Sequence, residues 1–305
     1  MAKIPVLVTF FNRPAILEKL FSAICKNKEI EVFFAADGAR NQEDKNKIEA
    51  CWNLVDKYFG QISDSHKLIR SQNYGCKTAM ISNINWFFDL NDFGIILEDD
   101  CVPNPEFFKT VGTALIQTPR DSKYISISGS DYLPSNLNKN SGVFRESIFP
   151  QVWGWGSWAN KWQYYKEDIP DSSEIVSSAA TQLYGTEKSI RKIYFENIFN
   201  MRFKEVNTNI IDTWDYSLTA TAWRHKFNTL QINGNAIVNS GFGEFATHTK
   251  SSAPSWVPVD YSSKKRDFSH AIDLDLEADS WIATNVYNCQ LKEFVKNEIK
   301  KIVRI

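Results

Sequence analysis

The chain has 305 residues, of which 43% are hydrophobic and 14% are aromatic, so it can bury a large core. Its 35 basic and 36 acidic residues leave a formal net charge of -1 at pH 7, which gives no basic surface for nucleic acid. The five cysteines show no metal-binding spacing and are expected to be reduced thiols. This composition excludes a disordered chain and a disulfide-stapled scaffold.

The N-terminal residues lead directly into an apolar run, 6–11, that has the length of a strand. This run lacks the features of a signal peptide, and no stretch of the sequence is long and apolar enough to span a membrane. We therefore expect a cytoplasmic location.

Strand-like and helix-like segments alternate over the first 130 residues, which is the pattern of a mostly parallel sheet with helical crossovers. Apolar residues recur at helical spacing in Leu17–Ile24 and again in Ile48–Phe59. Ligands bind beyond the carboxyl ends of such strands, so the residues that follow each strand are the site candidates. The predicted strands are Ile4–Phe10, Ile30–Ala35, Lys67–Arg70, Gly94–Glu98 and Tyr124–Ser128.

Polar residues follow the first three predicted strands. Arg13 comes after the first strand, Asp37 after the second, and Lys77 stands in a glycine-bearing turn after the third. This set suits a nucleotide diphosphate, because Asp37 can accept from a base imide while the two cations meet anionic oxygens. Each residue alone is equally compatible with an ordinary turn or a solvated charge.

The fourth predicted strand ends in the acidic triplet Glu98, Asp99 and Asp100. Carboxylates crowded at a strand end repel one another unless a cation offsets their charge, and oxygen ligands favour a hard divalent metal. Asp100 could instead cap the helix that begins near Pro105. Both interpretations remain open on the triplet alone.

Several motifs resemble a known family through their order and spacing. They are Ile4-Pro5-Val6-Leu7-Val8 with Asn12-Arg13, Tyr74-Gly75-Cys76-Lys77, Ile84-Asn85-Trp86-Phe87-Phe88, Ile96-Leu97-Glu98-Asp99-Asp100, Pro105-Glu106-Phe107-Phe108, Phe149-Pro150 with Gly154-Trp155-Gly156, and Trp214-Asp215-Tyr216. From about residue 4 to about residue 250, the chain resembles glycosyltransferases of the GT-A, or nucleotide-diphospho-sugar transferase, fold. It is similar to bacterial family 2-like enzymes and to eukaryotic N-acetylglucosaminyltransferase I.

The resemblance implies an α/β fold with a mostly parallel, twisted sheet flanked by helices. Residues 1–130 would form the nucleotide-sugar-binding half of the domain, and residues 131–250 its acceptor and catalytic half. Residues 251–305 would form a C-terminal extension. Segments 131–142 and 171–189 are rich in small and polar residues and are expected to be loops or acceptor-side insertions.

The resemblance also implies roles for individual residues. Asp100 would be the direct ligand of Mn²⁺ or Mg²⁺, with Glu98 and Asp99 beside it at the donor. Arg13 and Asp37 match positions that hold the nucleotide.

A late histidine, His248, follows a glycine-hinged loop. By the resemblance, His248 would complete the metal shell or touch the diphosphate. A structural histidine is the alternative.

The pair Trp214-Asp215 matches the place where the family keeps the aspartate that deprotonates the acceptor hydroxyl. A carboxylate between an indole and a phenol is expected to be partly desolvated, which raises its pKa towards that of a general base. Asp212 remains a second candidate for the base. Alternatively, Asp212 caps a helix and Asp215 lies in the first turn of that helix.

A tryptophan-rich segment, 153–162, interleaves glycines with indoles. Sugars pack their apolar faces on aromatic rings, so we predict that one or two of these indoles line the site, with Trp155 at the donor. Core packing is the alternative for each ring.

The last residues, 291–304, place apolar side chains on one helical face opposite lysines and an arginine. An amphipathic basic helix can lie on an anionic membrane or pack on its own domain, and both interpretations remain open.

The sequence thus predicts a metal-dependent inverting glycosyltransferase that moves a hexose or N-acetylhexosamine from a UDP-sugar to an acceptor hydroxyl. The expected acceptor is a bacterial cell-surface glycan or lipid-linked oligosaccharide, in lipopolysaccharide or other polysaccharide biosynthesis, in the cytoplasm or at the inner membrane face. No nucleic-acid partner is expected.

Two other classes of protein are alternatives. A sugar nucleotidyltransferase would need a glycine-rich basic loop after the first strand, where the chain has 10–14, FFNRP. A non-catalytic carbohydrate-binding protein would leave the acidic triplet unexplained.

Overall fold

The computed structural model describes residues 3–134, 136–137, 142–242, 253–262 and 273–296. The strands are β1 (Ile4–Phe10), β2 (Ile30–Ala36), β3 (Lys67–Ile69), β4 (Phe93–Glu98), β5 (Cys101–Pro103), β6 (Tyr124–Ser128), β7 (Phe144–Ser147), β8 (Trp155–Trp158), β9 (Asn228–Ile232) and β10 (Ile237–Asn239). The helices are α1 (Pro14–Ile24), α2 (Gln42–Phe59), α3 (Cys76–Leu90), α4 (Phe107–Gln117), α5 (Ala159–Trp162), α6 (Ser172–Tyr184), α7 (Ile190–Asn207), α8 (Asp215–Arg224) and α9 (Leu276–Asn285). Asp64–His66 form a 3₁₀ turn, and residues 291–296 are also helical.

Eight strands form one sheet in the order β3-β2-β1-β4-β8-β6-β9-β7. Strands β1 to β4 are mutually parallel where they pair, β8 runs antiparallel between β4 and β6, and β7 lies antiparallel to β9 at one edge. Strands β5 and β10 form a separate antiparallel pair. The predicted α/β fold with a mostly parallel sheet flanked by helices is confirmed.

The predicted strands are found with small changes in their ends. Strands β1 and β6 have the predicted bounds, whereas β2 extends to Ala36, β3 ends at Ile69 and β4 begins at Phe93. The strands fall where apolar runs can be buried on both faces of a parallel sheet. The sheet contains strands from residues 1–130 and from residues 131–250, and the division into functional halves remains a prediction.

Alternate residues of the sheet feed two separate core clusters. In β1, Val6 and Val8 pack with α1 and α2 on one face, whereas Leu7 packs with α3 on the other. All three side chains are fully buried. The sheet is therefore covered on both faces, and the polar residues that could bind a ligand lie at the ends of its strands.

Segment 171–189, predicted as a loop, instead contains helix α6. The helix buries a stripe of apolar residues in the core cluster that contains Leu7. Serines between these apolar residues make the helical periodicity difficult to recognise in the sequence. The stripe consists of Ile175, Val176, Ala179, Ala180 and Leu183.

None of the helices in the described ranges is both long enough and apolar enough to cross a membrane.

Helix α9 is fastened to the edge of the sheet by a fully buried aspartate. Asp279 accepts hydrogen bonds from Ser147 Oγ at 2.6 Å and from Ile148 N at 2.8 Å, and it pairs with Arg145 Nη1 at 3.4 Å. Arg145 is also fully buried, and its Nη2 lies 3.8 Å from Asp131 Oδ1. Removing Asp279 would therefore leave a buried cation with one carboxylate fewer.

We predict that Asp279→Ala lowers the free energy of unfolding by about 3–5 kcal/mol, because it breaks a buried ion pair from one side. Urea denaturation followed by circular dichroism measures this change. The control is Glu43→Ala, which removes an exposed partner of Lys47 and should change stability little. Equal midpoints for Asp279→Ala and the wild type would contradict this role for α9.

Candidate functional site

A cleft of about 500 Å³ opens at the carboxyl ends of β1, β2 and β4, against the first turns of α3. Such strand ends are where open α/β sheets bind ligands. The described residues that line it are Thr9, Phe10, Phe11, Asn12, Arg13, Asp37, Arg40, Asn73, Gly75, Cys76, Ala79, Met80, Asn83, Glu98, Asp99, Asp100, Trp153, Asp212, Asn239, Gly241 and Phe242. Among these are Arg13, Asp37 and the whole acidic triplet from the sequence prediction.

Arg13 offsets part of the negative charge of the acidic triplet by bonding Asp99 and Asp100. Arg13 precedes Pro14, the first residue of α1, so its side chain is free to cross from the end of β1 to the end of the neighbouring β4. Its Nε donates to Asp99 Oδ2 at 3.0 Å, its Nη2 donates to Asp99 Oδ1, and Nη2 also lies 3.0 Å from Asp100 Oδ2. A bidentate guanidinium is the strongest counter-ion that a side chain offers.

Burial shapes the protonation of this acidic end. Burial, followed by the charges of Asp100 and Asp99, raises the pKa of Glu98 to about 8. Burial also raises the pKa of Asp99, although Arg13 opposes the rise. The carboxyl of Glu98 makes no hydrogen bond with a described residue, and burial beside two other carboxyl groups favours its protonated form.

Asp100 is held against the β5–β10 pair. Its Oδ1 accepts from Asn239 Nδ2 at 3.3 Å, and its backbone oxygen accepts from Ser240 N at 2.8 Å. A Cβ added to Gly241 would lie 2.2 Å from Asp100 Oδ2, so only glycine allows this close approach. Asp100 caps no helix, because α4 begins at Phe107 without a side-chain cap. The capping alternative for Asp100 is wrong.

Asp37 anchors the loop between β3 and α3. Its Oδ1 accepts from Gly38 N at 2.8 Å and from Tyr74 N at 2.9 Å, and its Oδ2 accepts from Asn73 Nδ2 at 2.7 Å and from Gly75 N at 3.1 Å. Two carboxylate oxygens offer about four lone-pair sites, and these four donors fill them. This arrangement argues against the predicted bond from a base imide and favours a role in shaping one wall of the cleft.

Asp212 caps α3 from a distant part of the chain. Its two carboxylate oxygens accept from Cys76 N and Lys77 N, both at 3.0 Å. The alternative that Asp212 caps the helix after it is therefore wrong, since α8 begins at Asp215 and its N-cap residue, Trp214, makes no side-chain cap bond.

Lys77 does not lie where the sequence predicted it, at the ligand. Its Nζ pairs with Glu167 Oε1 at 3.0 Å, its side chain is buried, and it is absent from the described lining of the cleft. Only its backbone N–H contributes here, to Asp212.

Asp215 is the first residue of α8, is half-buried, and is absent from the described lining of the cleft. Its Oδ1 accepts from Thr213 Oγ1 and, at 2.9 Å, from Tyr216 N, whereas its Oδ2 bonds no described residue. Burial raises its pKa, as predicted for a carboxylate between aromatic neighbours. Burial is the main cause of the raised pKa of Cys76 and of Glu98, two residues that line the cleft, and the charge of Asp215 adds a smaller rise to each.

Trp153, rather than Trp155, lines the cleft. Trp155 is 1% exposed and packs on Trp214, with ring centroids 5.6 Å apart. Trp153 stacks with Trp256 at 5.6 Å and meets Phe242 edge to face at 5.7 Å. The structure thus places the predicted donor tryptophan, Trp155, in the core.

Two predictions fall outside the described residues. His248 lies there, as do residues 297–305 of the C-terminal amphipathic segment. Within the described ranges, no three His, Cys, Asp or Glu side chains are grouped so that they could hold a metal by themselves.

The sequence analysis missed Thr9, Asn83 and Asn239. Thr9 and Asn83 are buried polar residues on facing walls of the cleft, one on β1 and the other on α3. The available signal was a polar residue inside an otherwise apolar strand or helix face, which is costly unless the residue has a partner.

No protein-family model matches the chain, and no curated protein matches its sequence. A putative nucleotide-diphospho-sugar transferase from Desulfovibrio desulfuricans matches with a TM-score of 0.36 and 10% identity, over 76% of this chain and 80% of that one. Glucosyl-3-phosphoglycerate synthase from Mycobacterium tuberculosis was crystallised with Mn²⁺, UDP and glucosyl-3-phosphoglycerate. It matches with a TM-score of 0.32 and 12% identity, over 58% of this chain and 59% of that one. Glycosyltransferase GlyE from Streptococcus pneumoniae matches with a TM-score of 0.30 and 13% identity, over 67% of this chain and 44% of that one. These low scores do not establish a shared family.

We predict that Asp212→Ala frays the first turn of α3 and lowers the free energy of unfolding by about 0.5–2 kcal/mol, the usual cost of a lost cap. Hydrogen exchange should show faster exchange at the amides of Cys76 and Lys77. Asp64→Ala, at the exposed 3₁₀ turn, is the control and should leave these two amides unchanged. Unchanged exchange in Asp212→Ala would contradict the cap.

Proposed function

We propose that the protein is a metal-dependent, inverting glycosyltransferase of the GT-A fold, related to family 2-like enzymes and to N-acetylglucosaminyltransferase I. It transfers a hexose or N-acetylhexosamine from a UDP-sugar to a hydroxyl group. The observation that carries the proposal is the acidic end of β4, which faces a cleft of about 500 Å³ while Arg13 offsets its charge. Charge of this density, open to a cleft, suits a cation and a diphosphate.

The carboxylates fit a bound Mn²⁺ or Mg²⁺. Such ions commonly take one or two carboxylates from the protein and fill the remaining positions with phosphate oxygens and water, so a protein cluster of three ligands is not required. Asp100 would hold the ion, with His248 as the second proposed ligand. When bound, the ion supplies positive charge to the diphosphate oxygens of the leaving nucleotide.

Arg13, Glu98 and Asp99 complete the donor end. Arg13 keeps Nη1 free of hydrogen bonds to described residues, so this nitrogen is available to an anionic oxygen. Glu98 lines the acidic end of the cleft and, when protonated, can donate a hydrogen bond to a hydroxyl of the nucleotide sugar. Asp37 acts on the nucleotide indirectly, through the loop that it anchors.

Asp215 is the proposed general base. Its raised pKa brings it towards the working range of a base, and Oδ2, which bonds no residue in the described ranges, is the atom that would take the proton from the acceptor hydroxyl. A single displacement with one base and no enzyme nucleophile inverts the anomeric centre. Asp212 is disfavoured as the base because both of its oxygens are engaged at the start of α3.

The acceptor is proposed from the resemblance as a bacterial cell-surface glycan or lipid-linked oligosaccharide. Trp153, at the cleft, is the indole best placed to pack on a sugar face. Contact of the C-terminal segment with a membrane surface remains part of this proposal.

We predict that Asp100→Ala abolishes the Mn²⁺-dependent part of UDP binding while the protein stays folded, because the side chain lies at a strand end. Isothermal titration of UDP with and without Mn²⁺ measures this. The control, Asp89→Ala, removes an exposed carboxylate at the far end of α3 and should bind as the wild type does. Undiminished stimulation by Mn²⁺ in Asp100→Ala would refute the metal assignment.

We predict that Asp215→Asn keeps UDP-sugar binding and lowers turnover by about 100-fold or more, the usual scale for a positioned base. In the wild type, turnover should rise with pH as Asp215 deprotonates, with a midpoint above about 3.9, the value for a free aspartate. Measured release of UDP, with an acceptor present, gives both quantities. Asp212→Asn is the matched variant, and a larger loss of turnover there than in Asp215→Asn would reassign the base.

A further inference from the structure

One face of α3 forms a wall of the cleft. Cys76, Ala79, Met80 and Asn83 recur at helical spacing and all line it. Asn83 is the innermost of the four along the helix and is 2% exposed. A buried amide needs partners for both its oxygen and its nitrogen, so its bonding decides what the cleft presents there.

Arg70 fixes the orientation of that amide. Its Nη1 donates to Asn83 Oδ1 at 2.6 Å, and its Nη2 donates to Ser82 Oγ at 2.8 Å. The guanidinium is itself positioned over the ring of Tyr74, 5.2 Å from the centroid, and lies 3.4 Å from Ala36 O. A reversed amide would turn its NH₂ group towards the guanidinium, donor against donor, so only one orientation is stable.

The nitrogen of Asn83 is consequently left as a fixed donor. Asn83 Nδ2 donates to no described residue, although the side chain is almost wholly buried and lines the cleft. An oxygen of a ligand in the cleft can therefore accept a hydrogen bond from this nitrogen.

The position of Asn83 assigns this donor to the base end of a nucleotide. Arg70, which bonds it, follows β3 and reaches the end of β2, whereas the acidic triplet ends β4. Strands β2 and β4 flank β1, so these two ends of the cleft are about 10 Å apart, two strand spacings. With the diphosphate at the acidic end, a nucleoside spans the remainder.

We propose that Asn83, oriented by Arg70, selects a pyrimidine that carries a carbonyl oxygen and rejects one that carries an amino group at the same position. Asn83 is the specificity-determining residue and Arg70 is its positioning residue. Uracil presents an acceptor where cytosine presents a donor, so an amide locked as a donor discriminates between them. The inference rests on the proposed function and names the residue that selects the base of its donor.

The test is isothermal titration of free UDP and free CDP, in the presence of Mn²⁺, against the wild type and three variants. Asn83→Asp is nearly isosteric, and its second oxygen would accept from an amino group while its first stays paired with Arg70. Arg70→Met removes the lock and adds no charge. Asn53→Asp, on the exposed face of α2, introduces the same charge as Asn83→Asp far from the cleft.

The wild type is expected to bind UDP at least about tenfold more tightly than CDP, the scale of one buried hydrogen bond. The ratio should reverse in Asn83→Asp, approach one in Arg70→Met, and stay at the wild-type value in Asn53→Asp. Comparing ratios removes any general weakening of diphosphate binding by the new charge.

Equal wild-type binding of UDP and CDP would overturn the inference, as would an unchanged ratio in both Asn83→Asp and Arg70→Met. A changed ratio in Asn83→Asp alone would overturn the role of Arg70. If neither nucleotide binds the wild type, the proposed function itself fails, an outcome distinct from a loss of selectivity.

Discussion

Three carboxylates meet at the end of β4, and the geometry of the cleft depends on how their repulsion is offset. The counter-charge comes from the neighbouring strand, because β1 pairs with β4 and ends at the position from which Arg13 reaches Asp99 and Asp100. This contact ties the start of α1 to the acidic turn. Arg13 Nη2 lies 3.0 Å from Asp100 Oδ2, so the proposed cation would compete with Arg13 for this oxygen.

The aspartates of the site divide into two groups by what their oxygens already bond. Asp37 accepts four hydrogen bonds in the loop before α3, and each oxygen of Asp212 accepts from a backbone N–H in the first turn of α3, so both residues position the start of that helix. Asp215 Oδ2 accepts no hydrogen bond from the part of the chain that the structure describes, and Asp100 lines the cleft. The first group shapes the walls of the cleft, and the second is available to act on a ligand.

The sheet and the strand-end residues could be predicted from the sequence because both follow from local patterns. Apolar runs gave the strands, and parallel strands bring their carboxyl ends to one edge, which gathered Arg13, Asp37 and the acidic triplet. The cap by Asp212 could not be predicted from a local pattern. Asp212 lies 136 positions after Cys76 and 135 positions after Lys77 in the sequence. The lock between Arg70 and Asn83 was missed because it depends on which way two side chains point.

One of the predicted indoles, Trp153, lines the cleft, whereas Trp155 lies in the core for a backbone reason. Strand alternation would place Trp153 and Trp155 on the same face of a continuous strand. Gly154 between them has a φ of 62°, which turns the chain, so Trp155 enters one core cluster while Trp153 packs beside the other.

The proposed site requires the cleft to hold a nucleoside diphosphate in one direction. A crystal structure of the protein with UDP and Mn²⁺ tests this most directly. We expect the ion and diphosphate at Asp100, the uracil carbonyl within hydrogen-bond distance of Asn83 Nδ2, and Arg13 moved from its contact with Asp100. A nucleotide bound outside the cleft, or one with its phosphates beside Asn83, would contradict it.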